Sequence, residues 1–310
     1  MPRHAFRLLA ALALLFFINI DARAQTPNPA ASVAREAQVR EALDARVRAE
    51  VSAFRGRVSL YAKNLDTGAV YELGGDDRVR TASTIKIAVM VEAFARVAEG
   101  KAKWSDELQL TKEKKVSGSG ILPEFADGLR LTLRDAVTLM MTMSDNTATN
   151  LVVDVLSADA VNARMASLGL KEIRLMRKVF GGGESAEGKV EASKRFGLGR
   201  STMREMVMLM EMLERGEVLS PAASKEMLDL MRREQERKGI WRALWQMPKA
   251  TKSGALDALR SDVGIIYHPR GRIALAVTCD DMPAVEWTND NPAYLLMSRL
   301  SEIILYGLGK

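Results

Sequence analysis

Ser83-Thr84-Ile85-Lys86 sets an alcohol and an amine three residues apart, at the start of an apolar run that continues to Val97. In a helix that spacing brings the two side chains to one face. Backbone N–H groups left free at a helix start favour negative charge beside Ser83. An amine buried next to a second cation gives up its proton near neutral pH and can then act as a base. Other nucleophile chemistries are poorly supplied. The two histidines are His4 and His268, and His268 precedes Pro269 in a turn-like stretch, a poor place for a buried base. Cys279, the one cysteine, sits in a strand-like run and reads as small core filler. A single cysteine excludes an intramolecular disulfide framework, and zinc sites of HExxH or CxxC type cannot be assembled. Neither a metal nor a cofactor is expected.

Gly183 to Val190 nearly matches a phosphate-binding loop, but Val190 stands where a magnesium-binding hydroxyl is required and two glutamates would repel phosphate. It reads as a mobile Gly-rich loop. The chain has 310 residues, 47% apolar and 27% charged, ordinary fractions for a globular protein. Arg3 to Arg7 are basic, Leu8 to Ile20 almost entirely apolar, and Asp21-Ala22-Arg23-Ala24 resembles a cleavage site. That run of about 13 residues is shorter than the roughly 20 a membrane-spanning helix needs. It reads as a secretory signal peptide cut after Ala24, with an uncleaved anchor as the alternative. A periplasmic or secreted protein follows. Losing Arg3, Arg7, Arg23 and Asp21 lowers the formal charge from +6 to +4, too mild an excess for a nucleic-acid reader. The basic runs Lys112 to Lys115 and Arg232 to Lys238 are broken by Glu and read as solvated faces.

Several elements must position Ser83 and Lys86. Residues 25–33 read as a flexible linker, and residues 34–310 as the folded domain. Apolar positions at Val39, Leu43, Val47, Val51 and Phe54 mark one face of a helix. Val58 to Ala62 and Val70 to Leu73 form a hairpin through Asn64-Leu65-Asp66-Thr67-Gly68. The centre is helical, with Thr132-x-x-Asp135 and Thr202-x-x-Glu205 resembling capping boxes and Ser220-Pro221 a helix start. Val263 to Tyr267 and Ile273 to Thr278 flank a second hairpin, and a helix starts at Asn291-Pro292. Neither hairpin is stable alone, so the two should join in one antiparallel sheet. An α+β fold is expected: an antiparallel sheet covered by N- and C-terminal helices, plus an all-helical lobe with a cleft between.

Two further triplets follow Ser83-x-x-Lys86. Ser144-Asp145-Asn146 ends a helical apolar run, and Lys252-Ser253-Gly254 precedes the late hairpin, at separations of 61 and 108 residues. In order, spacing and setting the trio resembles the class A serine β-lactamases and penicillin-binding proteins, over roughly residues 35–308. The resemblance implies a β-lactamase/transpeptidase-like fold and a secreted hydrolase that opens β-lactam rings through an acyl-enzyme on Ser83. A D-alanyl-D-alanine carboxypeptidase, or a slow or trapped penicillin-binding protein, is the alternative. The implied partner is a β-lactam or D-Ala-D-Ala-like peptide, and the implied state a monomer.

By the same resemblance Lys86 is base or proton relay, and Ser144 passes a proton to the leaving nitrogen. Asn146 binds Lys86 and the substrate's side-chain amide. Lys252 holds Ser144 and helps attract the substrate carboxylate beside Ser253 and Gly254. The N–H groups of Ser83 and Ala255 form the oxyanion hole, and Arg260 is a candidate for further carboxylate binding. Class A enzymes release the acyl group with a glutamate on a loop after the Ser-Asp-Asn triplet. Counting back from Ser201-Thr202-Met203 reaches Glu187, while counting forward from Arg174-Leu175-Met176-Arg177 reaches Val179 and Phe180. Glu184 and Glu187 are the candidates that remain.

Overall fold

The computed structural model describes residues 29–309, with side-chain surroundings from residue 37 onward. The leader expected over 1–24, with its cut after Ala24, lies outside the described residues, as do residues 25–28. The chain divides into a segment ending at Val39 and a body beginning at Arg40. Helix α1 (Pro29–Ser52) begins within the stretch expected to be a linker. Proline at the first helical position and an alanine-rich sequence explain that start.

In the body, five antiparallel strands form the main sheet. They are β1 (Arg57–Asn64), β2 (Val70–Leu73), β8 (Lys249–Leu256), β9 (Leu259–His268) and β10 (Gly271–Asp280), in the order β2-β1-β10-β9-β8. The two expected hairpins are joined by β1 against β10, with Leu60 opposite Val277. Strand β8 is an unexpected fifth strand at the sheet edge. His268 lies at the β9–β10 turn, where its Nδ1 accepts from the Arg270 amide.

Side chains alternate across this sheet, so each strand feeds two cores. Leu60, Ala62, Leu275 and Val277 pack with Leu43 and Val47 of α1 and with Leu296, Leu300 and Ile304 of α8 (Pro292–Leu308). Tyr61, Val263, Ala274 and Ala276 face the helical lobe. That lobe comprises α2 (Lys86–Ala98), α3 (Leu133–Thr142), α4 (Asn146–Leu156), α5 (Ala158–Ser167), α6 (Met203–Glu214) and α7 (Pro221–Arg232). Two small sheets complete it: β3 (Val79–Arg80), β7 (Gly199–Ser201) and β6 (Arg174–Leu175) in that order, and β4 (Glu107–Gln109) with β5 (Arg130–Thr132).

Helix α2 is buried on all sides, as its composition requires, with Ile87, Val89, Met90 and Val91 all inaccessible. Thr132 and Asp135 form a reciprocal capping box on α3. The second box is only half made. Thr202 caps α6, but Glu205 turns away and accepts the amides of Lys171, Glu172 and Ile173. The Gly-rich stretch read as a mobile loop is tied down by Ser185, whose Oγ accepts from the Gly188 amide and donates to the Met176 carbonyl. Among the described residues, no helix is long and apolar enough to cross a membrane.

Candidate active site

Ser83 lies in a single 3-10 turn, Ala82–Ile85, that runs straight into α2, so Lys86 is the first α-helical residue. Ala82 takes φ 47°, a left-handed conformation that costs a non-glycine residue roughly 1–3 kcal/mol and persists where its surroundings impose it. The imposing neighbour is the edge strand. A Cβ placed on Gly254 would stand 2.9 Å from both the Ser83 nitrogen and the Thr81 oxygen. Glycine therefore lets β8 lie directly on the backbone of the Ser83 turn. Gly254→Ala is expected to push that turn away. Overpacking costs about 1–3 kcal/mol, which is ~5- to 150-fold in acylation rate if it is felt wholly at Ser83. Stopped-flow acylation beside a thermal melt separates that loss from unfolding.

The Lys86 side chain is fully buried. Its Nζ lies 2.7 Å from the Ser144 carbonyl oxygen, 3.2 Å from Ser144 Oγ and 3.1 Å from Asn146 Oδ1. Burial, and next the charge of Lys252, push its pKa well below the ordinary lysine value of 10.5, against the opposing pull of Asp145 and Glu234. The amine is thereby prepared to accept a proton. Ser144 presents its hydroxyl from a left-handed backbone, φ 54°, in the link between α3 and α4. Asp145 caps α4 through the Ala148 amide and also accepts the amides of Ile121 and Leu122. Residues 116–122 are thus fastened to the Ser-Asp-Asn turn. Asn146 Nδ2 donates to the Ser117 carbonyl, leaving its second hydrogen for a ligand.

Lys252, also fully buried, is engaged differently from the sequence expectation. Its Nζ donates to Glu234 Oε1 at 2.8 Å and to the Ser253 carbonyl at 2.9 Å, and no hydrogen bond joins it to Ser144. Glu234, just past α7, is a buried residue that sequence reasoning missed. The same Oε1 accepts the Ser253 amide at 2.7 Å and Ser253 Oγ at 2.8 Å, while Oε2 accepts from Thr251 Oγ1 at 2.7 Å. Glu234 belongs to the basic run Arg232 to Lys238, so reading that run as a solvated face fails at this residue. The clue was Lys252 itself, since a buried ammonium requires a carboxylate partner.

Arg260 also departs from expectation. Its guanidinium is buried against the carbonyl oxygens of Leu256, Leu259 and Glu286 and the rings of Trp287 and Tyr294. In register it shares a row with Cys279 and Val58, on the α8 face, whereas Lys252 shares one with Val263 and Ala276 on the lobe face. The two-residue period of a strand places Ser261, not Arg260, in line with Gly254. Cys279 is buried, and burial raises its thiol pKa far out of reach.

Neither candidate glutamate meets the Ser83 group. Glu184 is exposed and accepts from the Gly182 amide; its own backbone amide, and next that of Gly182, lower its pKa. Glu187 is paired with Arg174 and Arg200. The loop instead meets α4 at Val179. Asn150, one turn beyond Asn146, donates to the Val179 carbonyl at 3.2 Å and accepts the Val179 amide at 2.8 Å. The forward count along the sequence reached this residue. Asn150 itself was not anticipated.

The site therefore unites Ser83, Lys86, Ser144 and Asn146 from the lobe with Lys252, Ser253 and Gly254 from the sheet edge. A model of the beta-lactamase enzyme family matches residues 41–307, almost the whole body that carries this arrangement. The chain belongs to the beta-lactamase enzyme family. It is 27% identical over 228 residues to β-lactamase AER-1 of Aeromonas hydrophila, covering 72% of each chain. A β-lactamase structure from Sphaerobacter thermophilus is similar with a TM-score of 0.74 at 29% identity, over 86% of this chain and 96% of that one. The structure of PBP-A is similar with a TM-score of 0.72 at 25% identity, over 87% and 94%. Within the β-lactamase family fold, the Ser83 turn sits where the sheet edge and the lobe meet.

Proposed function

We propose that the chain opens β-lactam rings through an acyl-enzyme on Ser83 and releases the opened product slowly. As a member of the beta-lactamase enzyme family it is a hydrolase acting on the β-lactam amide bond. The observation that carries the acylation half is the fully buried amine of Lys86, depressed in pKa and hydrogen-bonded to both Ser144 and Asn146.

Lys86 takes the proton of Ser83 Oγ as that oxygen attacks the ring carbonyl. The negative charge gathering on the carbonyl oxygen is met by the N–H groups of Ser83 and Ala255. One such donor contributes about 2.7–4 kcal/mol to the transition state. The C–N bond breaks, the nitrogen takes the Ser144 hydroxyl proton, and the Lys86 ammonium restores it. The remaining Asn146 N–H binds the substrate's side-chain amide. Release requires water to add to the ester. At the loop position that Asn150 brackets, the side chain is that of Val179, which cannot take a proton from that water.

Time-resolved intact-mass spectrometry with benzylpenicillin tests this reading. A penicilloyl adduct is expected to form rapidly, to map to the peptide containing Ser83, and to persist after excess drug is removed. An adduct elsewhere, or none, overturns it. Export through residues 1–24 is supported by their basic, apolar and small-residue pattern. It predicts a mature chain beginning at Gln25, read directly from the mass of the exported protein.

A further inference from the structure

The hydroxyl and amide of Ser253 and one Lys252 hydrogen are directed at Glu234, and a second Lys252 hydrogen goes to the Ser253 carbonyl. The Lys252–Glu234 pair is almost wholly shielded, with side-chain exposures of 0% and 2%. An ammonium and a carboxylate 2.8 Å apart present little net charge to a group approaching Ser253. A hydroxyl that already donates to a carboxylate has only lone pairs to offer a ligand. The arginine nearest in sequence, Arg260, is committed to the carbonyl oxygens of Leu256 and Leu259 and to the Trp287 ring. The register partner of Ser253 on β9 is Asp262, another carboxyl group and no source of positive charge.

We propose that Glu234 is a positioning residue that neutralises the Lys252–Ser253 end of the cleft, so that this subsite accepts an uncharged group as readily as a carboxylate. The proposal rests on the acyl-enzyme reading above and adds the substrate class: strained cyclic amides whose neighbouring acid is free, esterified or replaced by an amide. Glu234 acts through Lys252 and Ser253 and does not itself touch the substrate.

The test compares second-order acylation rates for benzylpenicillin and benzylpenicillin methyl ester, which differ by one negative charge. In the unaltered protein the acid-to-ester ratio is expected to stay within about tenfold. In Glu234→Gln, which keeps the shape and the acceptor oxygen, the Lys252 charge is no longer balanced. The ratio should then rise by about tenfold or more in favour of the acid. Glu234→Asp retains the charge and should retain the original ratio. A structural defect alone would slow both substrates together and leave the ratio where it was.

The inference is overturned by an acid preference above about tenfold in the unaltered protein, or by an unchanged ratio in a folded Glu234→Gln protein. Should Glu234→Gln fail to fold, the ratio of the unaltered protein still decides. Acylation by neither compound would overturn the functional reading itself, an outcome distinct from acylation with a strong preference for the acid.

Discussion

Replacing Lys86 with alanine is expected to slow acylation of Ser83 by benzylpenicillin about 10²- to 10⁴-fold, the usual contribution of a positioned base. That corresponds to about 2.7–5.4 kcal/mol of transition-state stabilisation. Among the described residues no other amine meets both Ser144 and Asn146, and the Lys252 amine is already engaged by Glu234. The pH dependence carries the same information. Protonated Lys86 has no lone pair, so acylation should fall as pH is lowered through its depressed pKa. Lys86→Ala should flatten that limb. The group also links pH to stability. Between its depressed value and 10.5 the folded chain binds fewer protons at Lys86 than the unfolded chain. Stability therefore rises with pH across that window. Rapid-quench acylation from acid to alkaline pH measures the first effect, and denaturant midpoints measure the second. A Lys86→Ala protein that acylates at the original rate would remove the base from the mechanism.

The second large effect is a gain. Val179→Glu is expected to shorten the lifetime of the penicilloyl adduct by about tenfold or more, a fraction of what a well-placed base supplies. The backbone there is gripped from both sides by Asn150, so the side chain can change without moving the loop. Acylation should be unaffected, because Lys86 and Ser144 are untouched. The measurement is decay of the adduct mass after free penicillin is removed. Asn150→Ala in the Val179→Glu background should erase the gain, because the carboxylate would lose its fixed position. An adduct that persists equally long in Val179→Glu would mean that the Asn150 clamp does not direct residue 179 at the ester.

The sheet was legible where alternation is clean. Val58 to Ala62 and Ile273 to Thr278 carry two cores on two faces, and their pairing followed from the instability of lone hairpins. Strand β8 was not legible, because Lys249-Ala-Thr-Lys-Ser-Gly-Ala reads as polar punctuation. Functional strands break the pattern that reveals ordinary ones. Ser83, Lys86, Ser144 and Asn146 were found because their spacing has local meaning. Glu234 was hidden because its burial is set by Lys252, 18 residues onward, on a strand the pattern did not announce. Arg260 was misread by one residue. In a strand a single step reverses the face, and nothing near Arg260 in the sequence shows that Trp287 and Tyr294 wait on the other side. Asn150 looked like an ordinary helix residue until the loop at Val179 came to rest on it.

The pairing of β1 with β10 has a bearing on how the molecule is made. Arg57 lies opposite Asp280, so the seam between β1 and β10 needs residues more than two hundred positions apart. Such distant partners make for slow closure, since a long span of polypeptide must be gathered first. The scaffold under Ser83 is therefore finished only after the ribosome has delivered nearly all of the chain.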